Sequence, residues 1–190
     1  SVTAYTCERS AGGANDFYSE GDYWWPDPND PDGPYIRKDG LSNPGNFSQH
    51  RRAMIRMSRI VGTMASAYLV TGNDTYVREA MEHLRVWFIT PQTRMNPHML
   101  YAQAIQGRFT GRGIGIIDGL HLVEAALAIK KMESSPAISG EELYALKSWF
   151  REFLHWISTH EYGRSEMVHP NNHGTCWALQ AAAYAWLTDD

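Results

Sequence analysis

Cysteine is scarce. Cys7 and Cys176 stand far apart and in no metal-like spacing, so they pair only if the fold brings them together, and the redox compartment stays open. Basic residues are not in excess: Lys+Arg number 17 against 21 Asp+Glu, a formal net charge of −4 that argues against a nucleic-acid partner. No stretch is long and apolar enough to span a membrane. No run alternates apolar and polar residues as a half-buried strand would. There is no His-Glu-x-x-His, and His169-x-x-x-His173 straddles a proline and a helix start, so metal catalysis is the weakest reading and no metal ligand is assigned.

What is abundant is aromatic: seven Trp and ten Tyr in 190 residues, a length that suits one domain. Rings at that density fill a core; they also line carbohydrate clefts, where flat faces stack on sugars. Residues 1–45 read as an extended region rich in Gly, Pro, Asn and Asp, without helical period. Within it stands Asp22-Tyr23-Trp24-Trp25-Pro26-Asp27-Pro28. This loop either packs down on a helical body or presents its rings to a ligand.

Residues 46–190 read as helical hairpins. From about Phe47 to Thr71, Met54, Met57, Ile60, Val61, Met64 and Tyr68 recur at three- and four-residue steps, with Arg52, Arg56 and Arg59 opposite as a solvated face. Gly72 is placed to end this helix and Asn73 or Asp74 to cap the next, which runs through Val77, Met81, Leu84 and Phe88. A third helix spans about Gly115 to Met132. Ser139-Gly140-Glu141-Glu142 is a capping-box pattern that opens a fourth through Ile157. The last runs from 174 to 187, apolar on nearly every face, as a buried helix is. Its start is His169-Pro170-Asn171-Asn172-His173, where one Asn caps the helix. Two amides and an imidazole thus sit at the positive end of a helix, which favours anions. The plainer alternative is a cap beside a half-buried histidine. The class is all-α, a partial (α/α) toroid of antiparallel hairpins. Inter-hairpin loops on one end would ring a common cleft, gathering Asn172, His173, His98, Tyr101, Gln103 and the aromatic loop.

Three segments, Tyr18-Ser19-Glu20-Gly21-Asp22-Tyr23-Trp24-Trp25-Pro26-Asp27-Pro28, Asn96-Pro97 and Asn171-Asn172-His173, in that order, resemble the alginate lyase family of polysaccharide lyases. The resemblance implies β-elimination on a uronic-acid polymer such as alginate or glucuronan, export to the periplasm or beyond, and no cofactor. By the same resemblance, Asn172 and His173 neutralise the uronate carboxylate, and His173 is also a base toward one C5 epimer. Tyr23, Trp24, Trp25, His98, Tyr101, Gln103, Arg108, Asn171 and Trp177 are the expected substrate-binding residues. The family's base-and-acid Tyr and its partner Arg lie well C-terminal of the Asn-His pair. Here the only later tyrosine is Tyr184, inside the apolar helix. The chain also opens on Ser1 without a signal peptide. It is therefore expected to be one domain truncated at both ends and to turn over polyuronates poorly by itself. Two rivals remain: an α-toroid glycoside hydrolase drawing two carboxylates from Glu20, Asp22, Asp118, Glu124 and Glu166, or a non-catalytic carbohydrate-binding domain.

Overall fold

A computed structural model describes residues 1–189. Six α-helices dominate the described residues: α1 Gln49–Thr71, α2 Asp74–Leu84, α3 Leu122–Met132, α4 Gly140–Thr159, α5 Glu161–Met167 and α6 Asn172–Thr188. α2 runs on as a π-helical turn, Arg85–Ile89, and a 3₁₀ stretch, Gly113–His121, leads into α3. The all-α class holds. Four short strands nevertheless occur where none was expected: β1 Tyr18–Glu20, β2 Trp24–Trp25, β3 Ile36–Arg37 and β4 Tyr101–Ala104. β1 pairs parallel with β4, and β2 antiparallel with β3. Strands this short carry no readable alternation, and pairing with a distant segment is what makes them strands.

The helices form two layers. α1, α3 and α6 pack side by side, while α2 with its π turn and α4 form the second layer, crossing to α1 and α6 respectively. This alternation is that of an arc of a helical toroid. The caps are those the residue types dictate. Asn73 Oδ1 accepts from the Thr75 N–H, and Ser139 and Glu142 cap each other reciprocally. Between the layers lies an aromatic core of Phe88, Trp149, Phe150, Phe153 and Tyr184, with Trp149 Nε1 donating to the Met95 carbonyl at 2.6 Å. Much of the aromatic excess is therefore core. Arg52, Arg56 and Arg59 are exposed, as the face pattern predicts.

Two departures bear on function. α6 is buried on one face only, through Gln180, Ala183, Tyr184 and Leu187; Leu179 and Trp186 are 51% and 45% exposed. Its neighbours α3 and α4 cover one side, and among the described residues no helix covers the other. Second, the connection between α4 and α6, for which the sequence shows no helical period, folds into α5. His160 Nδ1 accepts from the Tyr162 N–H to start it. Gly163 lets it fold against the end of α4, since a Cβ there would collide with the Ile157 carbonyl. Gly174, in the first turn of α6, likewise leaves room for the His169 carbonyl. These two close approaches bring the end of α5 under the start of α6.

Candidate functional site

A cleft of about 330 Å³ opens between the aromatic loop, β4, the 3₁₀ stretch and the start of α6. That volume lies at the lower end of the roughly 300–1,000 Å³ usual for ligand sites. Its polar wall is Asp22, Arg37, Gln103, Arg112 and His173; its flat wall is Tyr23 and Trp24, with Ile114 and Ile117 below.

The floor is built from a buried chain of hydrogen bonds. Arg51, early in α1, holds Asp22 at 2.6 Å and reaches Asp118 at 3.4 Å. Burial works against the Arg51 charge, but the two carboxylates outweigh it and raise its pKa. Asp118 accepts from the Ser19 hydroxyl at 2.6 Å and from Gln103 Nε2 at 3.1 Å. Gln103 sits at the irregularity of the β1–β4 pair with φ +49°, a left-handed conformation that costs a non-glycine residue of order 1 kcal/mol or more. Its N–H donates to Ser19 Oγ, and its Oε1 and backbone carbonyl receive Arg112 at 3.3 and 2.8 Å. The Arg112 guanidinium lies 6.0 Å from the Trp24 ring centroid. Burial depresses its pKa, nearby Arg37 adds to that, and Asp118 opposes it. Its hydrogen bonds within the chain are to Gln103 alone among the described residues, so its charge is turned to the cleft without a carboxylate in contact.

His173 forms the far wall. Its Nδ1 lies 2.6 Å from Glu166 Oε1, and its backbone N–H donates to Asn171 Oδ1 at 2.9 Å. Asn171 is thus the cap. Asn172 is the exposed first residue of α6.

Of the residues expected to bind substrate, Tyr23, Trp24 and Gln103 meet in this cleft; of the expected catalytic pair, His173 lines it and Asn172 is not in its lining. Trp25, next along β2, lies outside the lining; its indole donates to the Leu41 carbonyl and Lys38 covers its ring. His98 stands apart with Asp16, Tyr101 and Trp156; burial lowers its pKa, Asp16 opposing and His160 adding. Tyr101 packs its ring over Gly12. Trp177 donates to the Ile157 carbonyl and packs on the core. Arg108 flanks Trp24 at 5.6 Å but lines a second depression of about 250 Å³ with Arg9, Gln106 and Phe109. Sequence reasoning missed Arg37, Arg51 and Arg112. Arg112 lies in a polar, glycine-rich stretch, where no periodicity separates it from Arg108. Both cysteines are free. Among the described residues, no cluster of three or more His, Cys, Asp or Glu is arranged to hold a metal ion.

The model of the alginate lyase family matches residues 1–190. The chain belongs to the alginate lyase family. It is also similar to a crystal structure of an alginate lyase from Bacteroides ovatus, with a TM-score of 0.89 and 39% identity over 99% of this chain and 50% of that one. The chain therefore spans about half the length of that relative. No curated protein matches it. The Arg112 guanidinium, held by Gln103 and by no carboxylate, and the His173 imidazole, held at Nδ1 by Glu166, line the same cleft as the Trp24 ring.

Proposed function

We propose that this cleft serves a polysaccharide lyase acting on a uronic-acid polymer, alginate or glucuronan, by β-elimination. One observation carries the reading beyond family membership: a carboxylate-free guanidinium, an imidazole and an aromatic platform share one cleft. The proton at C5 of a uronate is weakly acidic because the neighbouring carboxylate is already negative. Arg112, with the amide of Gln103 beside it, offers charge-assisted hydrogen bonds to that carboxylate and to the enolate that develops from it. Trp24 and Tyr23 receive the sugar face. His173 takes the C5 proton, the C5 electron pair forms the C4=C5 double bond, and the C4–O4 bond breaks with O4 leaving on a proton returned by the His173 imidazolium, directly or through solvent. Asn172, at the start of α6, adds an amide donor at the positive helix end. A polymer of this kind is met outside the cytoplasm, in the periplasm or beyond.

The hydrolase reading finds less support. Glu20 and Asp118 are buried and tied by hydrogen bonds, Glu124 is exposed on α3, Glu166 is bound to His173, and among the described residues Asp22 alone brings a carboxylate to the cleft lining. Two opposed carboxylates are what hydrolysis needs. The test is incubation with polymannuronate, polyguluronate and polyglucuronate. Rising ultraviolet absorbance from the C4=C5 bond is expected, and His173→Ala is expected to lower the rate by about 10²–10⁴-fold. New reducing ends without that absorbance would favour the hydrolase; binding without cleavage would favour a carbohydrate-binding domain.

A further inference from the structure

Glu166 is the last buried residue of α5, 1% exposed, and among the described residues its carboxylate makes one hydrogen-bond contact: Oε1 to His173 Nδ1 at 2.6 Å. Its second oxygen, Oε2, is buried with no hydrogen-bond partner among the described residues. A carboxylate kept only for packing is poorly placed here, because a buried, half-satisfied charge costs stability that a neutral side chain of the same shape would not. The local fold is nonetheless built around it. α5 exists as a separate short helix, and the close approaches at Gly163 and Gly174 bring its end against the first turn of α6.

We infer that Glu166 is a positioning residue for His173, fixing the imidazole as the Nδ1–H tautomer so that Nε2 faces the cleft as the bare, basic nitrogen. With Glu166 ionised, its carboxylate is an acceptor only, and the 2.6 Å contact is then an Nδ1–H donating to Oε1. With that proton committed, the second nitrogen is free to take the C5 proton. The imidazolium that results keeps its Nδ1–H on Glu166 and has its positive charge balanced at contact distance. When O4 leaves, a proton returns to it from the imidazolium, directly or through solvent, and His173 regains the starting tautomer. Burial pushes the Glu166 carboxyl up from its ordinary value, with the contact to His173 and the nearness of His169 opposing it. The same negative charge, second to burial, also raises the Cys176 thiol one turn along α6.

The inference rests on reading His173 as the base, and it is tested first without substrate. Nitrogen-15 NMR of imidazole-labelled full chain is expected to show His173 as the Nδ1–H tautomer, and Glu166→Gln to shift it wholly or partly to Nε2–H. An Nε2–H tautomer in the native protein, or a Glu166→Gln protein with an unchanged tautomer, overturns the inference. With a polyuronate, Glu166→Gln is expected to lower kcat about 10–100-fold with KM little changed, a typical loss when the partner of a functional histidine is removed. Added to His173→Ala it should cost nothing further, and an additive loss would overturn the inference. If no polyuronate is cleaved by native protein while the tautomer responds to Glu166→Gln, the positioning role stands and the lyase reading falls.

Discussion

Glu20 and Glu166 are buried to the same degree, 2% and 1% exposed, and are otherwise opposites. Glu20, at the end of β1, is surrounded by donors. Arg9 grips both oxygens at 2.7 and 2.8 Å, Tyr18 and Gln106 donate to Oε1 at 2.8 and 2.9 Å, and the Phe47 N–H donates to Oε2 at 2.6 Å. Burial pushes its carboxyl up, but these bonds outweigh it and leave it below the ordinary glutamate value. Glu166 has one partner, and burial wins. The first carboxylate is arranged to hold loops together: it ties the N-terminal segment, β1, the start of the α1 region and the loop after β4 at one point. The second is arranged to act on a neighbour. Degree of burial does not separate the two roles; completeness of hydrogen bonding does.

The largest effect that sharpens this contrast is on stability. Glu20→Ala strands two buried donors, the Tyr18 hydroxyl and the Phe47 N–H, with half-buried Gln106 and half-exposed Arg9, and is expected to destabilise the fold by about 3–5 kcal/mol in denaturant unfolding. Glu166→Gln, which keeps shape and removes a poorly solvated charge, is expected to leave the unfolding midpoint unchanged or slightly higher. Equal losses from the two substitutions would break the comparison.

Next in size is Arg112. If the cleft binds a carboxylate, Arg112→Ala removes a charge-assisted contact worth about 1.5–3 kcal/mol, so KM for a polyuronate should rise roughly tenfold or more. Arg52→Ala, on the exposed face of α1, serves as the control for lost charge. Matching changes from the two would mean that the cleft owes its affinity to overall field alone.

These roles were unevenly legible in the sequence. The long helices were, because Met54, Met57, Val61 and their like repeat at helical spacing over many turns. α5 was not: seven residues with Gly163 in the middle have little intrinsic helicity, and tertiary contact with α4 and α6 supplies the rest. The cleft was half legible. The Tyr23-Trp24 run and His173 stood out by residue type, whereas alternation along β2 sends Trp25 elsewhere, and His98 belongs to a cluster set by Asp16. Glu166 was visible only as a carboxylate, since its partner is fixed by a fold-back that no spacing announces.

A smaller effect separates the two adjacent asparagines. Asn171 caps α6, so Asn171→Ala is expected to cost about 1 kcal/mol of stability. Asn172 has its side chain exposed, so Asn172→Ala should leave the unfolding midpoint alone and lower lyase turnover instead. A stability loss at both positions would place both amides in the cap and neither in the chemistry.

The smallest effect is the pH dependence of stability, and here the two glutamates should pull in opposite directions. Glu20 is depressed on folding, so the native state holds its ionised form better than the unfolded chain does. Its contribution is present above the ordinary glutamate value and is lost as pH falls through the lower folded value. Glu166 is raised on folding, so the native state binds its proton more tightly. Its contribution is full below the ordinary value and is lost as pH rises through the higher folded one. His173 and His169 act on Glu166, and Glu166 in turn on Cys176, so the variants rather than the native curve isolate the carboxylate. Unfolding midpoints measured across acid to neutral pH should therefore diverge. Relative to native protein, Glu166→Gln should gain stability as pH rises out of the glutamate range, while Glu20→Gln should lose it over the same interval. Parallel curves would mean that the one contact to His173 stabilises the Glu166 charge as fully as the donors around Glu20 stabilise theirs.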